Sequence, residues 1–352
     1  MPPSPRDTPP LALVMGSPRS GTTWLQRMLA AHPGVVSPQE TGLFDLYLGR
    51  LYDRWARQQG NMQRALGGLE RGEVVRKRVL GLPSILEPED FDELARSLVA
   101  KVVERARAAK PGAEVVLEKT PSNALRVDLV DRLVPEARFV HIIRDPRDVV
   151  ASILGTRELM DWQWAPKDAG RAAEIWREHV ESALRGRALG PDRYLEIRYE
   201  HLKDDPNAMV ARVAEFLGLD PDQLVTDERS LAQGEFVFAP TVLRRLGGVP
   251  PEPEGFSGHG RVRHSLTPAQ QLAVEHVAGS LMTELGYGEG GRWEAPSPMH
   301  RLVHQPAVMA RAQARRLARE RLWGAESGRV LRRLPVPPAG EGWPARRGGR
   351  DE

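Results

Sequence analysis

The chain has 352 residues, of which 41% are hydrophobic and none is cysteine. The absence of cysteine excludes a disulfide framework, a thiolate zinc site and a cysteine nucleophile. The length and apolar content allow a single α/β domain with insertions and a substantial core.

The formal net charge is only +3, but the charge is unevenly distributed. From Arg301 onward the chain holds twelve Arg, no Lys and five acidic residues, a net charge of +7, so the remainder is slightly negative. The main body is therefore not expected to bind nucleic acid. No apolar run approaches ~20 residues and residues 1–10 lack a signal-peptide core, so we expect no transmembrane segment and a cytoplasmic location.

An apolar run at residues 11–15 leads into the sequence GSPRSGTTW at residues 16–24 and then into a helical pattern. This order predicts a strand, an anion-binding loop and a helix. Backbone N–H groups of the turn and of the helix start would form a concave site of partial positive charge, which Gly16 and Gly21 leave accessible. Further donors for an oxyanion are offered by the side chains of Arg19, Ser20, Thr22 and Thr23.

The two loop glycines have the spacing of the phosphate loop of nucleoside triphosphatases, but Thr22 stands where that motif requires Lys. A loop without this Lys favours a single terminal phosphate over a triphosphate chain. A phosphate-loop kinase or NTP-binding module remains the alternative. A second alternative is a nucleotide-binding module whose basic tail docks on a partner or an anionic surface.

Apolar residues recur at helical or strand spacing along the first half of the chain. They predict helices at residues 23–31, 89–110 and 125–133, and strands at residues 115–117 and 139–143. This order predicts an α/β fold, a three-layer sandwich with a central parallel sheet. Ligands of such sheets bind beyond the carboxyl ends of the strands.

The second half of the chain continues the alternation of predicted helices and strands. The patterns predict a helix at residues 169–189, a strand at 194–199, a helix ending at Leu217, a loop at 234–260 and helices at 267–285 and 307–323. Residues 43–86 are mixed and fit either an acceptor-binding insertion or a peripheral helical hairpin. We expect a disordered N-terminus at residues 1–10, one domain at 11–290 and a basic, partly disordered extension at 291–352.

The sequence GSPRSGTTW resembles the 5′-phosphosulfate loop of the sulfotransferases that use 3′-phosphoadenosine 5′-phosphosulfate (PAPS). Arg19, where the cytosolic branch usually has Lys, resembles the tyrosylprotein sulfotransferases and the bacterial branch. The resemblance spans roughly residues 11–288. It implies a P-loop-like sulfotransferase fold, PAPS as co-substrate without a metal, and sulfonate transfer to a hydroxyl or amine of a small-molecule, glycan or peptide acceptor.

The resemblance also implies a nucleotide pocket. Arg144 and Ser152 match the residues that hold the 3′-phosphate, although Arg144 could instead pair with Asp145 or Asp148 to hold its turn. Trp24 and Tyr199 match the adenine side, with core packing as the alternative for each. In the late Gly-rich segment, Arg261 could reach the 3′-phosphate, and Arg263 competes with it for that role.

For catalysis, the resemblance gives Lys119 the role of stabilising negative charge on the bridging oxygen as the sulfur–oxygen bond breaks. The cytosolic enzymes have their catalytic His two residues later, where this chain has Pro121. By its offset from Arg19, Glu40 matches the general base of the tyrosylprotein branch, and a carboxylate at neutral pH can accept a proton. The alternative for Glu40 is a loop carboxylate or a structural salt bridge.

The remaining candidate residues are histidines and tryptophans. His32, His141 and His179 lie at a helix end or within apolar patterns and are expected to be structural. Trp162 and Trp164 fit either an acceptor site or simple packing.

Overall fold

The computed structural model of the protein describes residues 11–71, 81–160, 165–224, 236–237, 266–288, 293 and 295–322. The chain divides into two compact units. The first comprises Met1–Tyr52 and Ile85–Met309, and the second comprises Asp53–Ser84 and Ala310–Glu352. The strands among these described residues all lie in the first unit. The expected disordered stretch at residues 1–10 lies outside the described residues.

The first unit is built on a sheet of six parallel strands in the order β5-β4-β1-β3-β2-β6. The strands are β1 (Leu11–Gly16), β2 (Val35–Pro38), β3 (Val115–Lys119), β4 (Arg138–Ile143), β5 (Tyr194–Arg198) and β6 (Phe236–Val237). In the register of the central strands, Leu13 lies opposite Phe139 of β4 and Glu118 of β3. The carboxyl ends of β1, β3 and β4 therefore meet at one edge of the sheet.

The described residues also form helices. They are α1 (Thr22–Ala30), α2 (Arg50–Glu70), α3 (Pro88–Ala109), α4 (Val127–Leu133), α5 (Pro146–Met160), α6 (Ala169–Leu184), α7 (Tyr199–Asp204), α8 (Pro206–Leu217), α9 (Pro268–Glu284) and α10 (Pro298–Leu322). A π-helical segment, Leu43–Gly49, precedes α2, and a 3₁₀ segment, Pro121–Leu125, precedes α4.

The two faces of β1 show why the fold has three layers. Every residue of β1 is buried, as expected for a strand with helices on both faces. Ala12 and Val14 belong to an apolar cluster with residues of α1 and α8. Leu13 and Met15 belong to a second cluster with residues of α3 and α4. The predicted α/β sandwich with a central parallel sheet is therefore confirmed.

Several element bounds differ from those that the sequence predicts. The predicted strand at residues 194–199 ends at Arg198, and Tyr199 is the first residue of α7. The short strand β2 was not predicted, and residues 236–237 of the predicted loop at 234–260 form β6. The local pattern is weak in both strands, and pairing with neighbouring strands decides their conformation.

The tail helix α10 begins at Pro298, nine residues before the predicted start at residue 307. An internal proline usually ends a helix, but Pro306 lies within α10. A serine cap starts the helix earlier, since the backbone N–H of His300 donates to Ser297 Oγ at 3.3 Å. Within the described residues, no helix combines the length and apolar character needed to cross a bilayer.

One buried histidine gives the fold a pH-dependent stability. His141 is fully buried in β4, its Nδ1 lies 2.7 Å from the Tyr194 hydroxyl, and burial lowers the pKa of His141 to about 3. Its position matches the expected structural role. In the unfolded chain a histidine has a pKa of about 6.5, so the unfolded state takes up the proton first as pH falls. The stabilising contribution of neutral His141 is complete above pH ~6.5 and is lost as pH falls towards 3.

We predict that the His141→Asn variant, which cannot titrate, has a flatter dependence of unfolding free energy on pH than the wild type. Between pH 7 and pH 5 the wild type should lose about 2 kcal/mol more than the variant, as measured by urea unfolding. The control is His276→Asn, which replaces an exposed histidine of α9. Parallel pH profiles of wild type and His141→Asn would contradict the prediction.

Candidate active site

The loop between β1 and α1 has the conformation of an anion-binding turn. The N–H of Ser20 donates to the Ser17 carbonyl at 3.1 Å, and Gly21 is the N-cap of α1. Gly21 has φ 96° and Arg19 has φ 70°, so both residues lie in the left-handed region. Left-handed backbone is uncommon for a residue with a side chain and recurs at functional sites. The first turn of α1 directs its N–H groups towards this loop.

Both loop glycines lie where a side chain would collide with the protein. A Cβ on Gly16 would meet the Ile142 carbonyl of the neighbouring strand β4. A Cβ on Gly21 would lie 2.5 Å from the ring of Tyr199. The close contact between loop and ring shows that Tyr199 shapes the loop directly.

We predict that Gly21→Ala lowers the unfolding free energy by roughly 3 kcal/mol, because it adds a collision with Tyr199 to left-handed backbone strain. The matched control is Gly112→Ala, since Gly112 has φ 90° but an added Cβ meets nothing within 4 Å. The control substitution should lower the unfolding free energy by about 1 kcal/mol, from backbone strain alone. Chemical unfolding measures both variants, and equal losses would contradict the role given to the Tyr199 contact.

Arg144 follows β4 and lies against the loop. Its Nη1 donates to the Arg19 carbonyl at 3.0 Å, and its guanidinium carbon lies 4.1 Å from the centre of the Tyr199 ring. The buried Trp176 of α6 donates from Nε1 to the Arg144 carbonyl at 2.9 Å, which fixes the backbone of this residue. The alternative pairing with Asp148 is long, at 3.9 Å, and Asp145 pairs with Arg147 instead. The structure thus brings the two predicted anion-binding segments together.

Ser152 joins the same group of side chains. It lies on α5, two turns into the helix, and its Oγ accepts from Arg19 Nε at 3.1 Å. Burial and the neighbouring Arg144 charge both lower the pKa of Arg19. Two guanidinium groups and a serine hydroxyl therefore converge beside the loop, an arrangement that a bound anion would stabilise.

The Arg144 turn is also held by residues that the sequence motifs did not identify. Glu200 of α7 accepts from the Asp145 N–H at 3.0 Å, and its second oxygen accepts from the Tyr287 hydroxyl at 3.0 Å. Trp293 donates from Nε1 to Asp148 Oδ1 at 2.8 Å. These contacts join positions far apart in sequence, and only the fold reveals them.

Lys119 and Glu40 meet at the carboxyl edge of β3. Lys119 is buried, donates from Nζ to Thr23 Oγ1 at 3.1 Å, and forms an ion pair with the half-exposed Glu40. Burial lowers the pKa of Lys119, while the Glu40 carboxylate acts in the opposite direction. The predicted catalytic lysine and predicted base are thus in contact, and Thr23 links them to the loop.

A buried carboxylate fixes the segment that carries Glu40. Glu118 accepts from the N–H and the hydroxyl of Thr41, the latter at 2.7 Å, and from the Thr120 hydroxyl at 2.6 Å. Asn123 donates to its other oxygen. This network places the chain on either side of the Glu40–Lys119 pair, and sequence spacing gave no indication of it.

Trp24 and Tyr199 lie on one side of the loop, with ring centroids 6.0 Å apart in an edge-to-face arrangement. Both rings are buried and belong to the apolar cluster that α1 and α8 form on the sheet. The packing predicted as the alternative for both residues is therefore present. An adenine contact by either ring stays a prediction.

Two buried polar atoms near the loop indicate a ligand. Within the described residues, Ser20 Oγ and Arg144 Nε are buried and have no hydrogen-bond partner. Such groups are costly unless something binds them. Both atoms are hydrogen-bond donors, so the site fits an anion that bridges the loop and Arg144.

The other predicted residues are distributed as follows. Arg261, Arg263, Trp162 and Trp164 lie outside the described residues, so their predicted contacts stay predictions. His32 is buried between the Asp220 carbonyl and the Gly34 N–H, and His179 contacts the Ile175 carbonyl, as expected of structural histidines. In the described part of the chain, no group of three or more His, Asp or Glu side chains is arranged to hold a metal ion.

The parallel sheet, the loop and the converging cations define a protein of the phosphate-binding-loop α/β class. A model of the sulfotransferase family matches residues 10–223, which is more than half of the chain. The chain belongs to the sulfotransferase family, and the reaction class that follows from membership is sulfonate transfer.

Individual proteins are similar to parts of the chain. Protein-tyrosine sulfotransferase A of Caenorhabditis elegans is 25% identical over 230 residues, which cover 64% of this chain and 54% of that protein. Nodulation protein NoeE of Sinorhizobium fredii is 27% identical over 242 residues, covering 62% and 53%. The chain thus spans about half the length of these two relatives. The solved sulfotransferase domain of the Synechococcus olefin synthase has 25% identity and a TM-score of 0.44, and covers 80% of this chain and 97% of that domain.

Proposed function

We propose that the protein is a PAPS-dependent sulfotransferase that transfers the sulfonate to a hydroxyl or amine of an acceptor. The observation that carries the proposal is the 3.0 Å hydrogen bond from Arg144 to the Arg19 carbonyl, since it joins two separate anion-binding segments. PAPS presents two anionic groups, one on each side of its ribose, and would need such a pair. The unpartnered donors of Ser20 and Arg144 support the same view.

In this proposal the donor supplies the activated sulfonate, and the residues divide the remaining tasks. Arg144 and Ser152 bind the 3′-phosphate, while Ser20, Gly21, Thr22 and the N–H groups of the loop bind the 5′-phosphosulfate. Arg261 or Arg263 would complete the 3′-phosphate site. Trp24 and Tyr199 form the adenine side of the pocket. Each phosphate contact is charge-assisted or made by an oriented backbone dipole, which favours a bound anion.

The reacting centre lies at the Glu40–Lys119 pair. Glu40 is half exposed, so an acceptor hydroxyl can reach its carboxylate and give up its proton there. Lys119, beside Thr23, stabilises the negative charge that develops on the leaving phosphate, together with Arg19 and the loop amides. No proton transfer in this scheme requires a metal ion.

The acceptor is proposed by chemical class only. The C. elegans relative is named as a protein-tyrosine sulfotransferase, and a peptide hydroxyl is therefore one candidate. Small-molecule and glycan hydroxyls or amines are the others. A kinase activity is disfavoured, because Thr22 replaces the lysine that a triphosphate requires and the family is that of sulfotransferases. A cytoplasmic location stays a prediction from the sequence.

Nucleotide binding tests the proposal. In a thermal-unfolding assay, the bisphosphate product of PAPS, 3′-phosphoadenosine 5′-phosphate (PAP), should stabilise the protein, by about 2.7 kcal/mol at one hundred times its Kd. ATP with Mg²⁺ should not. Stabilisation by ATP with Mg²⁺ and not by PAP would overturn the proposal. A screen of cell extract with isotope-labelled PAPS, read by mass spectrometry, would then identify the acceptor.

A further inference from the structure

The first half of α10 presents large apolar side chains to solvent. Met299, Leu302, Val303 and Met309 are each between 51% and 78% exposed. At 100° per residue they fall within about 120° of the helix circumference, so they form one continuous stripe. We call these four residues the apolar stripe.

The opposite side of the same helix is attached to the protein. Val308 is buried in the apolar cluster that α5, α6 and α9 form. Arg301 forms an ion pair of 2.9 Å with Glu275 of α9. These contacts fix the rotation of the helix about its axis, and the apolar stripe therefore faces outward because of packing on the other side.

The helix is also strongly basic. Residues 298–322 contain six Arg, one Glu and no Lys or Asp, a net charge of +5. Arg301 and Arg311 lie off the apolar stripe on the helix circumference. A basic helix with an exposed apolar stripe is typical of segments that lie in the interface of a membrane.

The shape and charge of this surface select among possible occupants. A second copy of the chain, bound stripe to stripe, would bring two helices of charge +5 together, which is electrostatically unfavourable. Nucleic acid would use the arginines but would leave four large apolar side chains in water. A partner helix needs a groove, and a single convex helix offers none. An anionic lipid surface accepts both the apolar stripe and the arginines.

We propose that α10 docks the protein peripherally on membranes that contain anionic lipids. The apolar stripe inserts between the lipid headgroups, and Arg311, which lies off the stripe, reaches the lipid phosphates with its long side chain. The proposal is independent of the reaction that the enzyme catalyses.

Vesicle co-sedimentation of the full-length protein tests the proposal. The wild type should bind vesicles of phosphatidylcholine with about one-third phosphatidylglycerol at least tenfold more tightly than vesicles of phosphatidylcholine alone. The triple substitution Met299→Ser, Leu302→Ser and Val303→Ser should weaken binding to the anionic vesicles at least tenfold. Arg311→Gln should weaken it about fivefold and reduce its sensitivity to salt.

The matched control replaces exposed apolar side chains elsewhere, as Ile85→Ser with Leu94→Ser, which are 81% and 62% exposed in the wild type. Its vesicle binding should equal that of the wild type. A single Leu302→Glu substitution at a highly exposed position repeats the test if the triple variant folds poorly. Equal binding to both kinds of vesicle, no binding, or no effect of the stripe substitutions would overturn the proposal. Self-association that the triple substitution abolishes, or binding to duplex DNA in place of vesicles, would overturn it equally.

Discussion

Glu40→Gln is expected to lower kcat by about 10²–10⁴-fold, because the amide cannot accept the acceptor's proton. The side chain keeps its size and can still contact Lys119, so its effect on packing is small. Affinity for PAP should stay near that of the wild type, since Glu40 is a negative group and would not bind phosphate. The measurement compares turnover of an identified acceptor with the Kd for PAP from calorimetry.

A control for Glu40→Gln lies just before β3, the strand that carries Lys119. Glu114→Gln changes an exposed carboxylate just before the amino end of β3, at the opposite edge of the sheet from Lys119. This variant should retain full turnover. If Glu40→Gln loses PAP affinity and turnover in equal proportion, the residue supports the donor site and is not the base.

Arg144→Gln is expected to weaken PAP binding by about 100-fold, since it removes a guanidinium that makes charge-assisted hydrogen bonds to the 3′-phosphate in the proposed complex. Adenosine 5′-monophosphate, which lacks that phosphate, should bind the variant and the wild type with similar affinity. The wild type should therefore discriminate strongly between the two nucleotides, and the variant weakly. Calorimetric titration of each protein with each nucleotide measures this difference.

The matched variant for Arg144→Gln is Arg138→Gln, at the other end of β4. Arg138 donates to the Phe216 carbonyl at 3.1 Å and lies far along the strand from the loop. Its loss should leave both nucleotide affinities unchanged. Equal weakening of PAP and the monophosphate by Arg144→Gln would instead assign Arg144 to the structure of the loop, through its bond to Arg19.

The sheet, the loop and the Arg144 turn were predictable because each depends on residues that are adjacent in sequence. Strand β1, the glycines and the hydroxyl residues form one continuous segment, and a buried strand leads directly to Arg144. Since parallel strands end at a common edge, the sequence also predicted that these segments meet. The Lys119–Glu40 contact was not predictable in this way, because Glu40 follows β2, a strand that the sequence did not predict, and only the resemblance suggested those two residues.

Other features were not predictable, because they depend on contacts between distant positions. Arg19 and Ser152 are 133 residues apart, and the hydrogen bond between them depends on the placement of α5. Glu118 lies within the buried strand β3 and belongs to no catalytic motif that the sequence indicated. Its carboxylate nevertheless orders the segment that carries Glu40. The end of β5 was misplaced by one residue, because Tyr199 has high strand propensity while its packing against Gly21 occurs at a helix start.

The ion pair between buried Lys119 and half-exposed Glu40 gives the proposed reaction a way to keep charge balanced. A buried ammonium needs a counter-ion, and before the reaction Glu40 provides it. When the carboxylate becomes neutral by accepting a proton, Lys119 loses this counter-ion at the moment when the departing phosphate becomes more negative. The lysine would then exchange one anionic neighbour for another, so activation of the nucleophile and stabilisation of the leaving group would be linked through a single cation.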